Sequence, residues 1–218
     1  MLGHQRASYR SLLETMARPL GALGFSPNSV TMLSVLSCLL YVYWASNGQW
    51  ALALLGAGVS AVLDALDGAL ARLTKKTSAF GNYLDAYVDR IIEFFLVLPL
   101  IALAPIPAVF FLTGGFVVSY AKARAALVIS LDNTDWPGFG ERSERLAGLL
   151  MVILLLGAVP NWAMANIANL MWLLAAFTWA GALLRLNTAK AWIEKAEKEG
   201  MLLGHVQTDH IQNMPEKK

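Results

Sequence analysis

The residues best suited to chemistry are carboxylates that lie inside otherwise apolar segments. Asp64 and Asp67 are three residues apart, and Asp85 and Asp89 are four residues apart, so each pair lies on one face of a helix. A charge that faces lipid costs about 2.5 kcal/mol or more, so these side chains must face a shared polar interior. The short turn at residues 75–78 folds two helices antiparallel, and we expect it to bring the two pairs together.

Four carboxylates in a low-dielectric site cannot all be ionised unless cations compensate them. Mg²⁺ prefers oxygen ligands and often bridges carboxylates to substrate phosphates. Two such ions can stabilise the attacking and leaving oxygens of a phosphoryl displacement. The alternative, ion pairing with neighbouring basic residues, accounts for one or two acids but not for four on two helix faces. We therefore expect two Mg²⁺ ions, with Mn²⁺ as the alternative metal.

Three basic residues lie in, or directly beside, three other apolar segments, all towards the same side of the membrane: Lys122, Arg145 and Arg185. Several N–H donors that converge on one point suit a phosphate monoester. The alternative is that the arginines anchor the chain at lipid headgroups. The basic set thus predicts a second, phosphate-binding site.

The composition indicates what kind of protein must position these residues. Of 218 residues, 57% are apolar and only 15% are charged, against roughly 25% charged in soluble domains. The net charge of +2, without a clustered basic face, argues against nucleic-acid binding. Cys38 is the only cysteine and excludes an internal disulfide. We expect a membrane protein that contacts lipids.

Crossing a bilayer takes about 20 apolar helical residues, and six segments approach this length. The predicted fold is therefore all-α, a single membrane domain over residues 1–218 with a six-helix core at 29–186. Its helices are expected at 29–44, 51–73, 81–103, 107–131, 146–159 and 166–186. An amphipathic pattern predicts an interfacial helix at 4–20, and the polar tail at 200–218 is expected to be flexible. Cations flank only one side of the segments, which predicts cytoplasmic termini and active site in a multi-pass protein of the cell membrane.

The acids belong to a longer motif with fixed spacing: Asp64-x-x-Asp67-Gly68-x-x-Ala71-Arg72, eight residues, Gly81, three residues, Asp85, three residues, Asp89. This motif resembles the signature of the CDP-alcohol phosphotransferase family without a departure, and the six-segment layout extends the resemblance over nearly the whole chain. The resemblance implies transfer of a phosphatidyl-type group from a CDP-linked lipid to an alcohol, with release of CMP. It also implies a homodimer.

The family's roles carry over by position. The four acids would be metal ligands, and Asp89 would also be the general base for the acceptor hydroxyl. Ser78 has the alternative role of a helix cap, and Arg72 that of an interfacial cation. The residues that the resemblance places at the CDP portion of the lipid are Pro27, Asn28, Thr31, Gly68, Arg72 and Ser78.

The segments that contain the three basic residues resemble the branch whose acceptor is inositol phosphate. In that branch Lys122, Arg145 and Arg185 would hold the acceptor's phosphate. Glycerol 3-phosphate is the alternative acceptor, and a divalent-cation transporter is the alternative from a different class. The donor lipid stays open between acyl esters and isoprenoid ethers. Residues 131–139 form a longer connection than expected, which we expect to reshape the acceptor entrance.

Overall fold

The computed structural model describes residues 2–130, 136 and 138–203, with the backbone alone at 2–10. In this part of the chain the fold is helical. The β-type pairing found there is one isolated bridge, between Ile129 and Leu202. This confirms the all-α prediction for the described residues. The helices are α1 Leu2–Ala22, α2 Pro27–Ser46, α3 Trp50–Leu73, α4 Ala79–Leu103, α5 Pro105–Ala125, α6 Arg142–Ala158 and α7 Pro160–Lys198.

Four of the described helices, α2, α3, α5 and α7, are long and apolar enough to cross a membrane. They make the chain a multi-pass membrane protein. Two other helices at predicted spans, α4 and α6, do not meet this criterion. Helix α4 carries Asp89, Arg90 and Glu93 in its middle, and α6 has only 17 residues. A crossing by α4 or α6 does not follow from length and composition.

Some element boundaries differ from the predicted ones. Helix α5 ends at Ala125, before the predicted limit of 131, and α7 is 39 residues long and extends beyond 166–186 at both ends. The early start of α7 follows from Pro160, because proline is favoured at the first helical position. The predicted connection at 131–139 lies partly outside the described residues, as does most of the tail at 200–218.

The chain divides into two compact units. Unit 1 comprises Met1–Pro105 and Leu149–Ile167. Here α2 and α3 approach closely at Gly56, where a Cβ would lie 3.0 Å from the backbone nitrogen of Tyr41. Buried hydroxyls tie the helices together: Ser37 Oγ donates to the Gly56 carbonyl at 2.9 Å, and Tyr41 Oη donates to the Leu96 carbonyl at 2.7 Å. These bonds fix α3 and α4, the helices that carry the acids, against α2.

Unit 2 comprises Ile106–Gly148 and Ala168–Lys218. Helix α7 packs against α5 through Trp179, whose Nε1 donates to the Phe110 carbonyl at 2.9 Å. It also contacts the turn before α6, because a Cβ on Gly140 would lie 3.0 Å from Cα of Gly181. Gly140 has a φ of +71°, a conformation that L side chains rarely adopt. This turn therefore requires glycine for two independent reasons.

Candidate active site

Three of the four motif acids converge between α3 and α4 in unit 1. Asp64, Asp85 and Asp89 each offer a carboxylate oxygen, and these oxygens all lie within 4.8 Å of one another. Asp64 and Asp89 are partly buried, and Asp85 is exposed. Three carboxylate oxygens at this spacing fit a hard divalent cation such as Mg²⁺ or Mn²⁺. The helical spacing thus brings acids from two helices together.

The fourth acid, Asp67, has a different environment. Its side chain is 4% exposed, and its Oδ2 accepts a hydrogen bond from Thr31 Oγ1 of α2 at 2.6 Å. A buried carboxylate needs such a partner, because an unpaired polar atom in the interior is costly. Asp67 is not part of the close group of three, although it lines the same cavity as Asp85.

This cavity lies in unit 1 and has a volume of about 290 Å³. The cavity lies next to the acids, since Asp67 and Asp85 are part of its lining. It is bounded by all six residues that the family resemblance places at the CDP portion of the lipid: Pro27, Asn28, Thr31, Gly68, Arg72 and Ser78. Sequence analysis missed three other lining residues, Lys76, Thr77 and Asn82. Their position within four residues of Ser78 along the chain is the signal that would have found them.

Two helix N-termini border the cavity, and local sequence explains both. Helix α2 starts with Pro27 after Ser26, whose Oγ accepts the Ser29 N–H at 3.1 Å. Helix α4 starts after Ser78, whose Oγ accepts the Gly81 N–H at 2.9 Å, so the helix-cap role of Ser78 is confirmed. Helix N-termini attract anions through their N–H groups and dipoles. With the cations Arg72 and Lys76, this end of the cavity suits a diphosphate.

An ion-pair network continues from the acids along α4. Arg90 lies 3.2 Å from Glu93 and 3.7 Å from Asp89, measured between guanidinium nitrogens and carboxylate oxygens. Glu93 is only 5% exposed and therefore depends on such a partner. Ion pairing, the alternative to metal binding, thus applies to Glu93 and in part to Asp89.

The predicted phosphate site lies in unit 2. Arg145 of α6 is 1% exposed, and its Nη1 donates to the Gly140 carbonyl at 2.7 Å. Arg185 of α7 is 5% exposed and lies 3.7 Å from Glu141. Both guanidinium groups thus contact the same turn at residues 140–141. Lys122 is partly buried and lies one helical turn beyond Val118, whose carbonyl faces Arg185 Nη1 at 3.5 Å.

Acidic side chains support this basic group. Glu144 accepts hydrogen bonds from the backbone N–H groups of Gly140, at 2.7 Å, and Glu141, at 3.2 Å, and so stabilises the turn before α6. Arg145 and Arg185 repel each other electrostatically, while Glu141 and Glu144 attract Arg185. Two buried cations held close together offer a favourable environment for an anion.

Comparison with known proteins agrees with the arrangement of the residues. The family model for CDP-alcohol phosphatidyltransferases matches residues 25–190. An archaetidylinositol phosphate synthase of Pyrococcus horikoshii is 34% identical over 200 residues, which are 89% of this chain and 99% of that protein. A phosphatidylinositol phosphate synthase of Cutibacterium acnes is 27% identical over 182 residues, 74% of this chain and 84% of that protein.

The fold is also similar to solved structures of a phosphatidylinositol phosphate synthase. The phosphatidylinositol phosphate synthase of Mycobacterium tuberculosis with CDP-DAG bound has a TM-score of 0.69 and 28% identity, over 82% of this chain and 94% of that one. The same enzyme in complex with manganese and citrate has a TM-score of 0.67, 28% identity, and coverage of 81% of this chain and 88% of that one. The acidic motif, the cavity beside it and the family match over most of the chain lead to one conclusion. The protein belongs to the CDP-alcohol phosphatidyltransferases and is a CDP-alcohol phosphotransferase.

Proposed function

We propose that this enzyme transfers a phosphatidyl- or archaetidyl-type group from a CDP-linked lipid to inositol phosphate and releases CMP. The observation that carries the proposal is the cavity beside the acids, whose lining includes all six residues expected at the CDP group. The acceptor assignment is supported by the buried arginine pair and by similarity to inositol phosphate synthases.

In the proposed reaction, the acceptor hydroxyl oxygen bonds to the phosphorus that carries the lipid. The bond between that phosphorus and the oxygen bridging to CMP breaks, and CMP leaves with the electron pair. Asp89 takes the proton of the hydroxyl as the general base. Arg72 and the two helix N-termini stabilise the charge of the diphosphate.

The metal would be held by Asp64, Asp67, Asp85 and Asp89. Two Mg²⁺ ions, when bound, would neutralise the diphosphate and stabilise the oxygens on either side of the reacting phosphorus. Asp67 would complete this set, and Thr31 of α2 orients its carboxylate.

Lys122, Arg145 and Arg185 would bind the phosphate of the acceptor. Burial of both guanidinium groups favours a doubly charged phosphate monoester over a neutral alcohol, because two desolvated cations need compensating charge. This favours inositol phosphate or glycerol 3-phosphate over free inositol or serine.

For the membrane arrangement, we propose one domain in which α2 to α7 all cross the bilayer and the segment at 4–20 lies on its surface. The acids and arginines of α4 and α6 would then face the protein interior rather than lipid. The distribution of cations supports cytoplasmic termini and a cytoplasmic active site. Homodimerisation is a further prediction from the family.

An acceptor panel tests the function. Purified protein receives a CDP-linked lipid, Mg²⁺ and one of inositol phosphate, glycerol 3-phosphate, free inositol or serine, and CMP release is measured. We expect the highest kcat/KM with inositol phosphate. Turnover with glycerol 3-phosphate alone would overturn the acceptor assignment and leave the family reaction intact. Metal uptake by proteoliposomes without any CMP release from a CDP-linked lipid would instead favour a transporter.

A further inference from the structure

One aromatic side chain of unit 2 has no place in the family motif. Trp136 lies between α5 and α6 and is 6% exposed. It packs against Ala125 of α5 and Ala189 of α7, and its ring meets that of Trp192 edge to face, at 5.2 Å between centroids. Contacts from two helices therefore fix the plane of this indole.

The indole in turn contacts Arg185. The guanidinium carbon Cζ lies 5.7 Å from the centroid of the Trp136 ring, within the range of a cation–π interaction. Tryptophan is the aromatic residue that binds cations best, and the interaction is strongest where water is excluded. Both partners are more than nine-tenths buried, so this condition holds.

The other contacts of Arg185 leave hydrogen-bond donors available. Its distances of 3.7 Å to Glu141 and 3.5 Å to the Val118 carbonyl are longer than typical hydrogen bonds. Its Nε and the Nε1 of Trp136 are buried and make no hydrogen bond to any residue in the described part of the chain. Buried donors are rarely left in this state, and an anion would satisfy them.

Arg145 differs in this respect. Its guanidinium is fixed by a short bond, 2.7 Å, to the Gly140 carbonyl. Arg185 has long polar contacts and an aromatic face instead. An aromatic face holds a guanidinium without using any of its N–H donors, so the contact with Trp136 does not compete with a ligand for them.

We propose that Trp136 is a positioning residue, which holds the Arg185 guanidinium in the orientation that binds the acceptor's phosphate. The inference rests on the proposed function of the basic residues. It also gives a role to the connection between α5 and α6, to which Trp136 belongs.

The test compares two substitutions, Trp136→Leu and Trp136→Phe, with Trp172→Leu as the control. Trp172 is also in unit 2, and its ring packs at a tilt against that of Phe110. We expect Trp136→Leu to raise the KM for inositol phosphate and the Kd for inorganic phosphate, measured by titration calorimetry, roughly fivefold to thirtyfold. Trp136→Phe should recover part of this loss, and Trp172→Leu should leave both constants unchanged.

A purely structural role would give a different pattern. It would raise the KM values for inositol phosphate and for the CDP-linked lipid alike, or lower Tm without changing the phosphate Kd, and either result overturns the proposal. Unchanged constants in Trp136→Leu would overturn it as well. If the wild-type protein does not turn over inositol phosphate, the proposed function fails, and the phosphate titration still decides the role of Trp136.

Discussion

The acidic site of unit 1, formed by Asp64, Asp67, Asp85 and Asp89, and the basic site of unit 2, formed by Lys122, Arg145 and Arg185, are supported in different ways. The acids are spaced by the repeat of two helices, and three of them meet within 4.8 Å. The arginines depend on a turn and on an aromatic ring outside any helix. Helical periodicity is encoded locally, whereas a turn that contacts another helix depends on tertiary structure.

The comparison predicts that changes in the two sites affect different kinetic constants. Loss of an acid should lower kcat, because the acids act on the reacting atoms. Loss of a basic residue should raise the acceptor KM, because these residues bind a part of the substrate that does not react.

The largest effect is expected from Asp89→Asn. The amide keeps the shape of the side chain but cannot accept the hydroxyl proton, so we expect kcat to fall roughly 10²-fold to 10⁴-fold. CMP release under saturating substrates measures this. Tm should stay close to that of the wild type, which shows that the fold is intact. A variant with more than about a tenth of wild-type kcat would remove Asp89 as the base.

An intermediate effect is expected from Arg145→Gln. A hydrogen bond to a charged group contributes about 1.5–3 kcal/mol, so the acceptor KM should rise roughly tenfold to 150-fold while the KM for the CDP-linked lipid stays constant. Arg142→Gln removes the same charge from the same helix and serves as the matched control. Equal changes in the two variants would indicate a general electrostatic effect instead of phosphate binding.

The smallest effect is expected from Thr31→Val, which removes the 2.6 Å hydrogen bond to Asp67 and keeps the branched shape. Asp67 should then be less well oriented, and we expect the Mg²⁺ concentration for half-maximal activity to rise on the order of tenfold. Thr31→Ser retains the hydroxyl and should behave like the wild type. If the valine variant reaches half-maximal activity at the same Mg²⁺ concentration as the wild type, the hydrogen bond from Thr31 does not support metal binding by Asp67.

Sequence reasoning and structure agree best where a single helix or helix cap determines the position of a site residue. Helical spacing predicted that four acids converge, and three of them, Asp64, Asp85 and Asp89, do. The resemblance identified six residues that line one cavity. The separate position of Asp67 depends on Thr31, which is 36 residues away, so no local pattern could reveal it.

Other differences have the same origin. The contact between Trp136 and Arg185 joins a loop to a helix 49 residues later, and spacing along the chain does not encode such a pair. The end of α5 at Ala125 and the length of α7 were missed because apolar composition marks a span without marking where its helix starts or stops. The prediction used the cations between the apolar segments only for orientation in the membrane, although Lys76 is one of them and lines the cavity.

The close approach of Gly140 and Gly181 has a consequence for how acceptor preference can change. Gly140 supplies the carbonyl that binds Arg145, and Gly181 lies one helical turn before Arg185. Because no side chain separates the two backbones, we expect a shift of α7 to displace the turn and both arginines with it. Substitution of either arginine alone would leave the contact between Gly140 and Gly181 unchanged. A larger residue at Gly181 would instead be expected to move both charges with one substitution.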